Sequence, residues 1–283
     1  MTVLVLGATG KTGRPLVNAL AARGATVRAA SRAPREGAGP EGVRFDWADR
    51  DTWEPALAGA TALYLVGPQG VPDPVSPVRE LLAAGKELRR VVLLSAVGAE
   101  RLPAEIFPLT AWEEAVRESG AEWTVLRPNW FFQNFTEGAF VAALEQEGRI
   151  ALPAAGARVG FIDTRDIAEV AALALTRPGY GGRVHELTGP QALDHAELAE
   201  ILGTAAGRAV AYEPVSPEEY EKTLRGAGLP EESVTWLLNL FALMRTGGYD
   251  VTTDTVAALT GRQPRSFTSF ATEHAARWRT PAQ

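Results

Sequence analysis

Residues 3–13 read Val3-Leu4-Val5-Leu6-Gly7-Ala8-Thr9-Gly10-Lys11-Thr12-Gly13. Residues 3–7 form an apolar run of the length of a strand buried on both faces. Gly7, Gly10 and Gly13 then follow at G-x-x-G-x-x-G spacing, and Leu16, Val17, Leu20 and Ala21 mark one face of a helix. A strand, a glycine turn and a helix in that order make a phosphate-binding site. Glycines let the backbone turn tightly and come close to a pyrophosphate, and the helix start offers free N–H groups and a partial positive charge. The rival motif, G-x-x-x-x-G-K-[ST], matches at Gly10-Lys11-Thr12 but needs glycine at position 5, where the chain has Val5.

Working outward, residues 26–30 form a second strand that ends in Ser31 and Arg32. A site that prefers NAD usually carries an acid there to hold the ribose 2′-hydroxyl. A hydroxyl and a guanidinium suit a 2′-phosphate instead, so NADP(H) is expected over NAD(H). Lys11 adds positive charge at the turn. A third strand is expected over residues 43–47, with Asp46 placed either to contact the adenine or to cap the segment after it. Residues 51–57 read as a helix, 62–66 as a buried strand, and 67–70 as a loop over the coenzyme. Ser76-Pro77 starts a helix, residues 91–95 form the fifth strand, 108–119 a helix, and 122–126 the sixth strand.

Strands alternating with helices imply parallel crossovers. The fold class expected is α/β: a doubly wound, Rossmann-type parallel sheet with a small mixed C-terminal region that binds substrate. Residues 1–135 are assigned to the dinucleotide-binding core, and 136–283 to late core elements and a small lid. In such a sheet ligands sit beyond the carboxyl ends of the strands. Coenzyme contacts are therefore expected from Gly7, Thr9, Gly10, Lys11, Thr12, Gly13, Ser31, Arg32, Asp46, Val66, Gly67, Ser95, Pro128 and Asn129. The aromatic run Trp130-Phe131-Phe132 follows the sixth strand; Trp130 and Phe131, with Tyr64 and Trp112, are expected to line the substrate pocket.

Beyond residue 135 the pattern loosens. Helices are expected over 136–146, 164–175, 231–244 and 266–278, short strands over 149–152, 159–163 and 183–187, and a capping box at Asp194-x-x-Glu197. The 283-residue chain is 46% hydrophobic, enough for a large α/β core. A net charge of −6 with interspersed signs argues against a nucleic-acid or anionic-membrane footprint. There is no cysteine, and the three histidines are scattered, so thiolate chemistry is excluded and a metal site is not expected. No basic segment precedes the first strand, and a cytoplasmic protein is expected, monomeric or a homodimer, acting on a small molecule.

The chain resembles the NmrA-like family of atypical short-chain dehydrogenases/reductases. The resemblance is carried by residues 7–13, by Leu93-Leu94-Ser95, by residues 119–128 (S-G-A-E-W-T-V-L-R-P), by Asp163-Thr164-Arg165-Asp166-Ile167-Ala168 and by Leu187-Thr188-Gly189-Pro190. Arg127-Pro128-Asn129-Trp130-Phe131 and Leu259-Thr260-Gly261-Arg262-Gln263-Pro264 bring it nearest the agroclavine and festuclavine dehydrogenases and their bacterial relatives. The wider superfamily uses Tyr-x-x-x-Lys as its acid/base pair. None of the five tyrosines here has lysine four residues on, and the corresponding helix carries Thr110, Trp112, Glu113 and Glu114.

Two functions follow. One is an NADPH-dependent reductase passing hydride to an iminium, a quinone or a polarised alkene, acceptors that need no tyrosine acid. Ser95, Glu113 and Tyr64 are then the polar candidates at the reaction centre. The other, implied by the resemblance, is a non-catalytic NADP-binding redox sensor that binds a protein partner.

Overall fold

The computed structural model describes residues 1–34, 40–68, 71, 73–103, 105–138 and 141–279. The chain divides into two compact units. The first comprises Met1–Glu100, Phe107–Pro128 and Thr164–Glu186; the second comprises Arg101–Ile106, Asn129–Asp163 and Leu187–Gln283.

The first unit opens with β1 (Thr2–Val5), α1 (Gly13–Ala21), β2 (Thr26–Ser31), β3 (Glu41–Arg44), α2 (Trp53–Leu57), β4 (Ala62–Leu65), α3 (Ser76–Ala84) and β5 (Arg90–Leu94). It continues with α4 (Leu109–Glu118) and β6 (Glu122–Pro128). In the second unit come α5 (Val141–Glu147) and β7 (Arg149–Leu152). The chain then returns to the first unit with α6 (Thr164–Thr176) and β8 (Arg183–Leu187). The second unit closes with α7 (His195–Ala206), β9 (Ala211–Pro214), α8 (Pro217–Gly226), α9 (Glu231–Arg245), α10 (Thr255–Thr260) and α11 (Phe267–His274).

Seven strands form one sheet in the order β3-β2-β1-β4-β5-β6-β8, and β7 and β9 pair separately. The pairings of β1 with β2 and β4, of β2 with β3, and of β4, β5 and β6 with one another are all parallel. This is the expected doubly wound α/β fold. Strand order reverses between β1 and β4, the switch point at which such sheets bind ligands. On one face Leu4, Leu6, Leu63, Leu65, Val91, Leu93 and Val125 pack with Trp53, Val78, Leu81, Trp112 and Val116 from α2, α3 and α4. Alternation sends Val3, Val5, Tyr64 and Val92 to the opposite face.

Several boundaries differ from the sequence expectation. The third strand ends at Arg44, not Trp47. Asp46 has already turned: its N–H bonds the Thr52 hydroxyl at 3.0 Å and its carbonyl accepts the Trp53 indole at 2.9 Å, so its backbone has left the ladder. Residues 159–163 make only isolated bridges, Val159 with Leu193 and Ile162 with Phe131. The helix expected over 136–146 is replaced by a 3₁₀ turn, Phe132–Phe135, and by α5; Gly138, at φ 117°, stands between them. The last helix shortens to α11 followed by a 3₁₀ turn, Ala275–Arg277. The Asp194–Glu197 capping box is present in both directions, at 2.8 and 2.9 Å, and a second one joins Ser216 to Glu219.

Candidate functional site

The glycine turn follows β1 directly. Gly7 sits at φ 63°, a conformation that glycine takes without steric cost. Its carbonyl accepts the Gly10 N–H at 2.9 Å, and the Gly10 carbonyl accepts Arg14 N–H at 3.1 Å as α1 begins. At Gly13 a β-carbon would stand 2.2 Å from the Gly7 oxygen, so only glycine lets the helix start this close to the turn. Gly7, Thr9 and Gly10 are exposed, and no side chain caps the first turn of α1. Open backbone and uncapped N–H groups fit a diphosphate.

Ser31 is the last residue of β2 and is half-buried; Arg32, next to it, is exposed. Among the described residues the Arg32 guanidinium meets no carboxylate. Asp46 is half-buried, and one carboxylate oxygen accepts the Ala48 N–H at 3.0 Å. It caps the segment after it, the plainer of the two roles expected for it. The Val66 carbonyl accepts the Trp47 indole N–H at 3.2 Å. Gln69 and Gly70 of the expected overlying loop lie outside the described residues.

Gly67 and Trp112 explain one another. Trp112 is 6% exposed, and its indole N–H donates to the Pro74 carbonyl at 2.7 Å. The ring lies so flat on Gly67 that a β-carbon there would stand 2.5 Å from it. Trp112 is thus a core residue that holds the Gly67 segment down. Gly67→Ala is expected to cost about 1–3 kcal/mol through overpacking, read as a lowered melting temperature; an unchanged melting temperature would show that the ring yields freely.

Ser95, Glu113 and Arg127 come together although the chain separates them. Glu113 is 1% exposed. One of its oxygens accepts the Ser95 hydroxyl at 2.7 Å and Arg127 Nε at 2.8 Å. The other accepts Arg127 Nη2 and Arg117 Nη2, each at 2.9 Å. A carboxylate has about four acceptor sites, and all four are occupied. Burial by itself would raise the Glu113 pKa, but the Arg127 bonds, with Ser95 and Arg117, outweigh it and hold the group below the usual carboxylate range. Glu113 is therefore neither on a solvated helix face nor free to meet a substrate. Arg127 also bonds Glu100 at 2.9 Å, and contact with Glu113 raises its own pKa. The sequence reading missed Arg127 and Arg117 as partners of this acid; Arg117 was visible at i, i+4 from Glu113, whereas Arg127 was not.

Tyr64 is wholly buried in β4, on the face opposite α3 and α4. Burial raises the pKa of its hydroxyl, which approaches the Thr12 side chain without a well-formed hydrogen bond. This is a packing position beneath the glycine turn, closed to a ligand.

Asn129, Trp130 and Phe131 belong to the second unit. Asn129 is 3% exposed; its amide donates to the Tyr249 carbonyl at 2.9 Å and accepts the Trp130 N–H at 2.9 Å. Trp130 and Phe131 are half-buried. Pro128 ends β6, and its carbonyl accepts the Val97 N–H at 3.1 Å. Among the described residues no group of histidines, cysteines or acids could hold a metal ion, and no helix is long and apolar enough to cross a membrane. Surface depressions of about 280 and 350 Å³ lie at α8 and α9 and at the β3 edge, the second lined in part by Thr52.

Comparison with known proteins matches residues 7–178 to a family described as NAD(P)H-binding. An uncharacterized oxidoreductase, YesF, of Bacillus subtilis is 40% identical, over 98% of this chain and 96% of its own. The NAD(P)H azoreductase of Xenophilus azovorans is 34% identical over 97% and 98%, and the agroclavine dehydrogenase of Claviceps fusiformis 30% identical over 98% and 99%. In three dimensions the chain is similar to an Escherichia coli NADPH-dependent quinone oxidoreductase crystallised with NADPH. The TM-score is 0.83 at 23% identity, covering 96% of this chain and 99% of the other.

Proposed function

The chain belongs to the NAD(P)H-binding, NmrA-like family of atypical short-chain dehydrogenases/reductases, an oxidoreductase family, and on that premise we propose that it is an NADPH-dependent reductase whose acceptor needs no proton from the protein. The acceptor is a small iminium ion, quinone or polarised alkene. The observation that carries this reading is the state of the polar candidates. Glu113 is ionised with every acceptor site filled, Ser95 is spent on Glu113, and Tyr64 is sealed in the core. None can act as an acid. An iminium ion becomes neutral on accepting hydride, and the anion formed from a quinone or polarised alkene takes its proton from water.

When bound, the coenzyme supplies the hydride. The chain's residues bind and orient. The turn from Gly7 through Thr9, Gly10, Lys11 and Thr12 to Gly13 holds the diphosphate at the start of α1. Ser31 and Arg32 take the 2′-phosphate, in keeping with the exposed guanidinium. The Asp46 carboxylate oxygen not bonded to Ala48 takes the adenine amino group. Val66, Gly67 and Pro128 complete the coenzyme contacts of the first unit through their backbones. Placement of the acceptor is then the main source of rate.

The test is NADPH oxidation by the purified protein with 1,4-naphthoquinone, a cyclic iminium salt and an α,β-unsaturated ketone. Turnover of at least one, faster with NADPH than with NADH, is expected. Tight NADPH binding with no turnover of any of the three would overturn the reductase and favour the redox sensor.

A further inference from the structure

Among the described residues, the arginines around β2 and β3 use their donors differently. Arg28 donates to the Ala56 and Ala58 carbonyls at 2.8 and 2.7 Å and to Glu41 at 3.1 Å. Arg50 grips Glu80 with two nitrogens, at 2.7 and 3.1 Å. Both are spent on the fold. Arg44, the last residue of β3, is not. Its side chain is 61% exposed, and its one polar contact among the described residues is an ion pair with Asp49 at 2.9 Å. An ion pair this open adds little to stability. Arg44 is the register partner of Ser31 on β2. Neighbouring strands lie about 4.8 Å apart, and paired residues point to the same face. The Arg44 side chain therefore leaves the sheet beside that of Ser31, on the face opposite Val43, which is buried in the core.

We propose that Arg44 is the second guanidinium of the 2′-phosphate site and, with Arg32, sets the preference for NADPH. The proposal rests on the reading above that Ser31 and Arg32 take that phosphate. A phosphate monoester carries about two negative charges and three acceptor oxygens, more than one guanidinium neutralises or fills. Arg32 meets it from the exit of β2, and Arg44 meets it from the neighbouring strand. Both have donors to offer: Arg32 meets no carboxylate among the described residues, and Arg44 meets only Asp49. Asp49 lies on the turn that carries Asp46, its N–H bonded to the Asp46 carbonyl at 3.1 Å. The ion pair thus draws the Arg44 side chain towards the carboxyl end of the sheet, the edge at which such folds bind the coenzyme.

The experiment is calorimetric titration of wild type, Arg44→Ala, and Arg44→Ala with Asp49→Asn, each with NADPH and with NADH. Arg44→Ala is expected to bind NADPH roughly ten- to thirtyfold more weakly, the lower part of the range for a hydrogen bond to a charged group because the site is open to water. NADH, which lacks the 2′-phosphate, should bind within about twofold of wild type, a result that general damage to the fold would not give. The double variant should keep most of the NADPH loss. Its full recovery would mean that Arg44 only neutralises Asp49, and would overturn the contact. A wild type that prefers NADPH, with the same preference in Arg44→Ala, would also overturn the inference while leaving Ser31 and Arg32 in place. A wild type with no preference for NADPH would remove the 2′-phosphate site itself, and Arg44 with it.

Discussion

Arg127→Ala is expected to destabilise the first unit by about 3–5 kcal/mol, the usual result of leaving a buried charge without its partner. Arg127 supplies two of the four donors to Glu113, one to each oxygen. Arg117 and Ser95 remain in the variant, but Arg117 is 37% exposed and cannot neutralise the buried acid alone. Replacing the pair together, as Arg127→Met with Glu113→Leu, should recover most of the loss, because apolar groups of similar size do not carry the desolvation cost. Denaturant unfolding of the single and double variants checks both statements; a single variant within 1 kcal/mol of wild type would show that Arg117 suffices.

The same pair predicts how stability depends on pH. The folded-state pKa of Glu113 lies below its unfolded value. Its contribution is therefore complete above the unfolded carboxylate pKa, near 4.5, and is lost as pH falls through the lower folded pKa. In the Glu113→Gln variant this part of the acid limb should flatten.

Arg32→Asp is expected to weaken NADPH binding by one to two orders of magnitude and to leave NADH binding within about twofold. A hydrogen bond to a charged group is worth about 1.5–3 kcal/mol, and the substitution replaces attraction for the 2′-phosphate with repulsion. The acid also meets the ribose 2′-hydroxyl of NADH, which offsets any loss there. Arg32 is exposed at the end of β2 and meets no carboxylate among the described residues, so its removal breaks no ion pair of the fold. Dissociation constants for the two coenzymes, measured side by side, decide the matter. Equal losses would remove Arg32 from the phosphate site.

What the sequence determined by itself was local. The strand, turn and helix of residues 3–21 were legible because spacing alone makes glycine necessary at positions 7 and 13, and the left-handed Gly7 and the 2.2 Å approach at Gly13 give the reason. The alternation of strands and helices gave the parallel, doubly wound sheet. The capping box at Asp194 was legible because its two bonds span three residues.

Tertiary structure decided what depends on neighbours distant in the chain. Ser95, Glu113 and Arg127 lie on β5 and its exit, α4 and β6, and only the pairing of β5 with β6 beneath α4 brings them within hydrogen-bond reach. That closure turned two candidate catalytic groups into a saturated structural network. The sequence marked residues 62–66 as a buried strand, but not that the side of the sheet Tyr64 faces is sealed. The return of residues 164–186 to the first unit, and the register that sets Arg44 beside Ser31, are likewise invisible to local patterns. Hydrogen-bond satisfaction and burial are properties of the whole packed surface around an atom, and spacing along a chain specifies only the part of that surface the chain itself supplies nearby.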